Sequence, residues 1–314
     1  MPTQPNAPSP YDDPVHADII LQSSDNVNFF VYKLLLSLVS PVFKDMFTLP
    51  QPAKSPSDAT NGRDGGKNEE TTVHPVIPVA EDSDTLHRLL TWCDPRGSPA
   101  TGTLEEIQVV LRVADKYDMQ AVANRVGEML AYGLAGLCPS GSGAVRIYAI
   151  AVRYSLAALA QKAAKLSLRA KWEDLMNEDV PELEHIPGSA LHRLQQYRIA
   201  CGAVAKKVAM DWTWVPDATG LVSECQVCAS GAPPRHWSKW WAQYMSVAAE
   251  ELYRNPSGAT ISPELAIIPL AHLGSCSDCG RTQGETYRAL VRFNPTFIKE
   301  IDRAVGEVPG VTLH

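Results

Sequence analysis

The sequence has no long apolar run and no concentration of positive charge. No stretch reaches the roughly 18 consecutive apolar residues that a membrane-spanning helix needs. The 28 Lys and Arg residues are outnumbered by 35 Asp and Glu residues, and the formal net charge is −7 at pH 7. Because binding to a phosphate backbone needs clustered cations, this balance argues against a nucleic-acid-binding protein. We expect the densest cationic segment, Lys162 to Lys171, to be a solvated face with its charges spread around a helix.

The sequence also lacks the features of a secreted protein. Its first ten residues have neither the basic start nor the apolar segment of a secretory signal. The seven cysteines are an odd number, which does not suit a framework of paired disulfides. We therefore expect an intracellular protein, in the cytoplasm or the nucleus, whose cysteines are thiols or metal ligands.

Composition divides the 314 residues into segments, and 45% of them are hydrophobic, enough for a substantial core. Residues 1–15 contain five prolines and predict a disordered leader. Residues 50–72 are mostly Pro, Ser, Asp, Gly, Lys and Glu, and they predict a disordered insertion because they bury little apolar surface. A break rich in Gly, Ser and Pro at 133–143 separates a predicted domain over 16–132 from a C-terminal region over 144–314.

Within the N-terminal domain, short apolar strands precede amphipathic helices. Residues 17–22 and 28–31 predict a hairpin, and residues 32–39 have the apolar spacing of a helix. Ser40 and Pro41 suit the start of a second helix, because serine caps a helix and proline fits its first turn. The remaining predicted elements are a strand over 76–79 and helices over 85–92, 104–114 and 119–130.

Two runs of this domain resemble the BTB/POZ domain. Residues 40–47 read Ser-Pro-Val-Phe-Lys-Asp-Met-Phe, and residues 109–119 read Val-Val-Leu-Arg-Val-Ala-Asp-Lys-Tyr-Asp-Met. Either run alone is weak, but their combination in this order, after Asp18 and the segment 30–36, is specific. The resemblance covers residues 16–131, and the chain as a whole is similar to fungal BTB-domain proteins with a helical C-terminal half.

The resemblance implies an α+β fold, with a helical shell on a small sheet followed by a mainly α-helical C-terminal region. It implies a module that binds other proteins, often a second copy of itself, and it does not imply an enzyme or a catalytic residue. Two family roles are recruitment of targets to a cullin-type ubiquitin ligase and self-association in transcriptional regulators. The sequence does not decide between them. We expect at most a weak homodimer, formed through the first helix at about residues 32–39.

Most apolar residues of the two runs recur at the periods of a buried helix or strand face. We therefore expect a packing role, rather than contact with a partner, for Phe30, Leu35, Val42, Phe43, Met46 and Ala114. Residues that bind a partner must lie on the surface, where a single sequence does not reveal them.

The C-terminal region contains two Cys-x-x-Cys pairs, Cys225 with Cys228 and Cys276 with Cys279. Structural zinc takes four ligands in a tetrahedron, and two tight turns of this kind supply four thiolates. We therefore predict one structural zinc ion held by all four, with the Trp-rich helix over 237–253 folding back to bring the pairs together. Thiols without metal are the alternative, and a redox dithiol is disfavoured because neither pair lies in a thioredoxin-like βαβ pattern. The remaining cysteines are predicted to be small buried apolar side chains: Cys93, Cys138 and Cys201.

Two other functions compete with a non-enzymatic adaptor or scaffold. A nucleic-acid-binding transcriptional regulator would use the cysteine pairs as a zinc module, but the acidic charge and the lack of a neighbouring basic helix count against it. A zinc hydrolase would need an open metal position and a general base, and the sequence has no His-Glu-x-x-His arrangement. The sequence therefore favours an adaptor or scaffold.

Overall fold

The computed structural model describes residues 5–48, 74–94, 99, 102–137, 141, 143–215, 227–228, 238–266, 276 and 283–313. Contacts between residues divide the chain into two units, Met1–Gly127 and Glu128–His314. This division falls inside a continuous helix, before the break predicted at 133–143, because Gly133 and Gly136 are helical rather than part of a linker. The insertion predicted over 50–72 lies outside the described residues.

The N-terminal unit packs helices against a three-stranded sheet, as the sequence predicts. Its strands β1 (Ile19–Gln22), β2 (Asn28–Val31) and β3 (Val76–Pro78) lie in the spatial order β2-β1-β3. Strand β1 pairs antiparallel with β2 and parallel with β3. The helices are α1 (Lys33–Val39), α2 (Pro41–Thr48), α3 (Ser83–Cys93), α4 (Leu104–Lys116) and α5 (Gln120–Leu137), which continues into the second unit.

The alternation of β2 decides which of its aromatic side chains is in the core. Phe29 and Val31 are buried, so Phe30 points to the opposite face of the sheet. There it is half-buried, with its ring centroid 6.2 Å from that of His74. The expectation that Phe30 is a core residue was therefore wrong by one position along the strand.

Of the other five residues expected in the core, Phe43 and Ala114 are buried. Leu35 and Met46 are half-buried, and Val42 is exposed. The prediction for Val42 was wrong because successive residues of a helix point about 100° apart, so that turning Phe43 inward turns its neighbour outward.

Residues 5–13 of the predicted leader lie along β2. The backbone N–H of Asn28 donates to the carbonyl of Pro5 at 3.0 Å, and the N–H of Ala7 donates to the carbonyl of Asn28 at 2.9 Å. These bonds occupy backbone groups of an edge strand that would otherwise face solvent. This stretch therefore differs from the disordered leader that the prolines predict.

The side chain of Tyr11 explains why this stretch is ordered. Tyr11 is buried, and its ring centroid lies 6.1 Å from that of Phe29 and 5.7 Å from that of His87. Ala7 is buried as well. One large aromatic side chain offsets much of the entropy lost when a short segment is ordered.

The C-terminal unit is a bundle of helices, in agreement with the predicted α-helical region. After the end of α5 come α6 (Ala144–Arg153), α7 (Ala157–Ser167), α8 (Trp172–Met176), α9 (Gly188–Met210), α10 (Lys239–Arg254) and α11 (Gln283–Gly306). Helix α10 packs along α9, α11 also contacts α9, and α6 packs against α7. Short 3₁₀ helices are Pro181–His185, Trp212–Trp214, Gly258–Thr260 and Pro263–Ala266.

The last helix begins earlier than its sequence indicates. Asn294 and Pro295 are typical of a helix start, but α11 runs through both positions. The side chain of Asn294 instead accepts a hydrogen bond from the Tyr244 hydroxyl at 2.9 Å, which ties α10 to α11. Phe293 and Phe297 are buried on either side of the proline, and this packing outweighs the backbone hydrogen bond that proline removes.

Arg198 joins several backbone segments of the C-terminal unit. Its guanidinium donates to the carbonyls of Ser167, Ala170 and Arg254, which end or follow α7 and end α10. It also lies 5.5 Å from the ring of Trp172. Burial lowers the pKa of Arg198 to about 10, so the side chain stays charged at neutral pH. A single buried cation therefore binds carbonyls at the end of α7, in the turn after it and at the end of α10.

The packing of Tyr11 predicts a specific loss of stability. We expect Tyr11→Ala to destabilise the N-terminal unit by about 3 kcal/mol, because apolar burial is lost and a cavity is left. Hydrogen–deuterium exchange of the full chain, read by mass spectrometry, should become faster in β1 and β2. Val15→Ala is the control, since Val15 is 79% exposed and its truncation should cost less than about 0.5 kcal/mol. Unchanged exchange in both strands would show that the segment does not support the core.

Candidate functional site

The two runs that resemble a known family meet at the buried hydroxyl of Ser40. This hydroxyl donates to the carbonyl of Tyr117 at 2.6 Å and accepts from the N–H of Phe43 at 3.0 Å. Ser40 therefore caps α2, as predicted, and also binds the end of α4. The rings of Phe43 and Tyr117 stack with their centroids 4.6 Å apart. The two runs are specific in combination because Ser40 and Phe43 of the first run both contact Tyr117 of the second.

Glu81 binds the second run from the opposite side. Its carboxylate accepts from the Tyr117 hydroxyl at 2.6 Å and pairs with Nζ of Lys116 at 2.5 Å. Burial acts to raise the pKa of Glu81, but the hydrogen bonds from Lys116 and Tyr117 outweigh it and hold the pKa below its ordinary value. Burial and the neighbouring carboxylate together raise the pKa of Tyr117. This network fixes the end of α4 against the loop after β3.

Asp18 positions the first helix. Tyr32, the residue before α1, makes no capping bond with its side chain. Oδ1 of Asp18 instead accepts a hydrogen bond from the N–H of Lys33 at 2.7 Å. A carboxylate at this place satisfies an unpaired N–H and also suits the positive end of the helix. The residue just before β1 therefore fixes where α1 starts.

Helix α1 turns two leucines towards solvent. Leu36 is its buried side chain, whereas Leu34 and Leu38 are 70% and 75% exposed. Residues four positions apart share a face of a helix, so the exposed leucines lie side by side. The helix contacts α2, which carries exposed Val42, and follows exposed Tyr32. We call these four side chains the α1 face. Clustered exposed apolar side chains are typical of surfaces that bind another molecule.

The Trp-rich helix of the C-terminal unit folds back as the zinc prediction requires. Helix α10 packs along α9, and Trp240, Trp241 and Tyr244 are buried. They belong to the hydrophobic cluster between α9, α10 and α11. This part of the prediction is confirmed.

One cysteine of each predicted pair lies at the same hydrophobic cluster. Cys276 is buried within it, and Cys228 packs against it, although they are 48 positions apart in the sequence. Cys225 and Cys279 lie outside the described residues. Within the described part of the chain, no three His, Cys, Asp or Glu residues form a group that could hold a metal. The site of four cysteines therefore stays a prediction.

Two of the isolated cysteines are buried thiols, as predicted. Burial raises the pKa of Cys93 to about 12, and it also raises the pKa of Cys201. Because the thiolate is the reactive form, both side chains are inert at neutral pH. Sγ of Cys93 lies 4.0 Å from Sδ of Met119. Cys138 lies outside the described residues.

Comparison with protein families decides the nature of the N-terminal unit. The family model of the BTB/POZ domain matches residues 11–134. Residues 11–134 are a BTB/POZ domain. The match begins at Tyr11, the residue that inserts beside β2, and so includes part of the segment predicted as a leader. No curated protein matches the chain.

A BTB/POZ domain is a protein-interaction module, which directs attention to its surface. The residues that carry the resemblance, Ser40, Phe43 and Tyr117, are buried and hold the fold. The α1 face is the candidate site, because it combines apolar chemistry with exposure on a helix of fixed position. None of the described helices is both long enough and apolar enough to span a membrane.

Sequence reasoning missed two residues that position this site. Asp18 was part of the resemblance, but no local pattern indicates that it caps a helix 15 positions later. Glu81 lies before α3 among other polar residues, and its binding to the end of α4 depends on the tertiary fold. Each partner pair is distant in the sequence, so only the structure identifies it.

The Glu81 network predicts a pH-dependent stability. We expect Glu81→Gln to destabilise the BTB/POZ domain by about 1–3 kcal/mol at pH 7, because a buried charge-assisted network loses its acceptor. Since the folded-state pKa of Glu81 is lowered, its stabilisation is present above its ordinary value of 4.5 and is lost as pH falls further. Scanning calorimetry from pH 7 to pH 3 should therefore show the variant and the parent converging in acid.

The control for this experiment is Asp115→Asn, an exposed carboxylate on the same helix. It should change the unfolding temperature little at any pH in the series. A difference between Glu81→Gln and the parent that stays constant down to pH 3 would contradict the proposed role of the carboxylate charge.

Proposed function

We propose that the protein is a non-enzymatic adaptor or scaffold that binds partner proteins through the α1 face of its BTB/POZ domain. The observation that carries this proposal is the exposure of Leu34 and Leu38 on a helix anchored by Asp18. A rigid helix with an apolar outer face suits a partner helix or a second copy of itself. An intracellular setting, cytoplasm or nucleus, agrees with the buried thiols of Cys93 and Cys201.

Self-association through the α1 face should be weak. A standard stable interface buries about 1,600 Å² in total, and the four side chains that each copy contributes through its α1 face supply only part of that area. Residues 5–7 already bind the backbone of Asn28 at the outer edge of β2. A strand from a second copy would therefore have to displace the protein's own segment to extend the sheet there.

Recruitment to a cullin-type ubiquitin ligase is the other role that the family implies. In this role the BTB/POZ domain would bind the cullin, and the C-terminal unit would offer a separate surface for the target. The BTB/POZ domain would bind a cullin in this role and a second copy of the chain in self-association. Binding of a purified cullin N-terminal region to the full chain separates this role from self-association.

The proposed dimer can be tested with a pair of substitutions on the α1 face. We expect the full chain to show a monomer–dimer equilibrium in sedimentation experiments at micromolar concentrations. Leu34→Asp with Leu38→Asp should leave only monomer, because two carboxylates would be desolvated in the interface. Val15→Asp is the matched control, since it adds a charge at an equally exposed apolar residue outside α1. A dimer that survives the paired substitutions would place the interface elsewhere.

We further propose that Cys225, Cys228, Cys276 and Cys279 bind one structural zinc ion. The support is the shared position of Cys228 and Cys276 at one hydrophobic cluster, together with the Cys-x-x-Cys spacing of each pair. Four thiolates would close the coordination sphere and leave no position for a reacting water. When bound, zinc would join the chain before α10 to the chain before α11 and stabilise the C-terminal unit.

Metal analysis of single variants tests the zinc proposal. We expect purified full chain to contain about one zinc per molecule, and Ser in place of any of the four cysteines to remove most of it. Each of these variants should also speed hydrogen exchange in α10, whose buried residues belong to the same hydrophobic cluster as Cys276. Cys201→Ala is the control, because Cys201 lies in the same cluster but outside the proposed site. Metal-free parent protein, or variants that keep their zinc, would contradict the proposal.

A further inference from the structure

Three cations of the C-terminal unit line one groove. Lys162, Lys165 and Arg169 border a groove of about 550 Å³. The last turns of α5, the residues Pro256, Ser257 and Ala259, and α11 also line it. We expected a solvated face with its charges spread around a helix. All three side chains are exposed to solvent, but they border one groove instead of being spread. Lys162 and Lys165 are three positions apart on one face of α7, and Arg169 lies in the turn that follows the helix.

The groove carries more positive than negative charge. All three cations are exposed, and none forms an ion pair with another residue in the described part of the chain. Asp302 is the acidic residue among those lining the groove. Its Oδ1 already accepts the N–H of Gly258 at 2.9 Å. Acidic residues of the C-terminal unit therefore neutralise little of the positive charge of the groove.

Apolar side chains form the floor of the groove. Leu134, Leu166 and Val305 line it and are otherwise buried. Tyr132 also lines it and is 93% exposed, so its ring is available for contact with another molecule. An apolar floor with charged groups at its rim suits a ligand that has both kinds of group.

Helix chemistry accounts for only one of these cations. Lys165 lies in the last turn of α7, where a cation suits the negative end of the helix. Lys162 lies earlier in α7, away from its last turn. The exposed residue Tyr132 lies on a different helix, α5. A local preference at the end of α7 therefore does not explain the composition of the groove.

We propose that this groove binds a short acidic peptide segment of a partner protein, with an apolar side chain among its carboxylates. Lys162 lies within α7 and Arg169 two residues beyond its end, so the cations offer separate positions along the groove instead of one. An extended peptide advances roughly 3.3 Å per residue and can place successive carboxylates against such separate cations. Its carboxylates would pair with the cations while its apolar side chain lies on the floor beside Tyr132. The proposal is independent of the function proposed for the BTB/POZ domain.

The test measures binding of a short fluorescent peptide of Asp, Glu and Leu to the full chain by anisotropy. We expect saturable binding that weakens as salt is added, because exposed charge pairs are screened. Lys162→Glu with Lys165→Glu and Arg169→Glu should weaken binding by at least about tenfold, since three modest ion pairs become repulsions. Tyr132→Ala should weaken it as well, and a residue this exposed can be truncated without loss of folding.

The matched control makes the same change of charge away from the groove. Lys207→Glu with Arg292→Glu and Lys299→Glu alters three exposed cations that do not line it, and should leave the affinity unchanged. Equal weakening by both triple variants would overturn the proposal in favour of general charge attraction. A peptide with Asn and Gln in place of its acids should not bind, and equal binding would also overturn it. Displacement of the peptide by millimolar inorganic phosphate alone would instead indicate a small-anion site.

Discussion

The hydrogen bond from the hydroxyl of Ser40 to the carbonyl of Tyr117 is the contact on which the interaction surface depends. It fixes the start of α2 against the end of α4, and the ring of Phe43 stacks on that of Tyr117 at the same junction. At the other end of α1, Asp18 binds the first turn. Since α1 lies between these two fixed points, the direction of its exposed leucines is set by buried polar contacts rather than by the leucines themselves.

Much of this architecture can be predicted from the sequence because its local signals agree. Thr103 and Glu106 form the capping box that opens α4, and the helices of the C-terminal unit follow their apolar periods. The family resemblance identifies the N-terminal fold. The two runs that carry it contact each other directly, so their combination in the sequence reflects one packed junction. Such signals fix elements and their order, since each element is stabilised by residues close to it in the sequence.

The remaining features depend on contacts between distant positions. The choice of Phe29 rather than Phe30 for the core depends on the register of β2, which a run of two aromatics leaves ambiguous. Asn294 has the chemistry of a helix cap, yet α11 continues through it because the rings on either side are buried. Its side chain accepts a hydrogen bond from the Tyr244 hydroxyl instead. The positive groove likewise depends on which face of α7 stays outside the bundle.

The insertion of Tyr11 beside β2 has a practical consequence for work on the isolated domain. A fragment that begins at the first strand keeps every helix and strand of the fold but uncovers Phe29 and His87. Copies of such a fragment would associate through this newly exposed apolar surface, which the intact protein covers with Tyr11. An apparent oligomer of that truncated fragment would therefore report the position of the cut, and not the partner preference of α1.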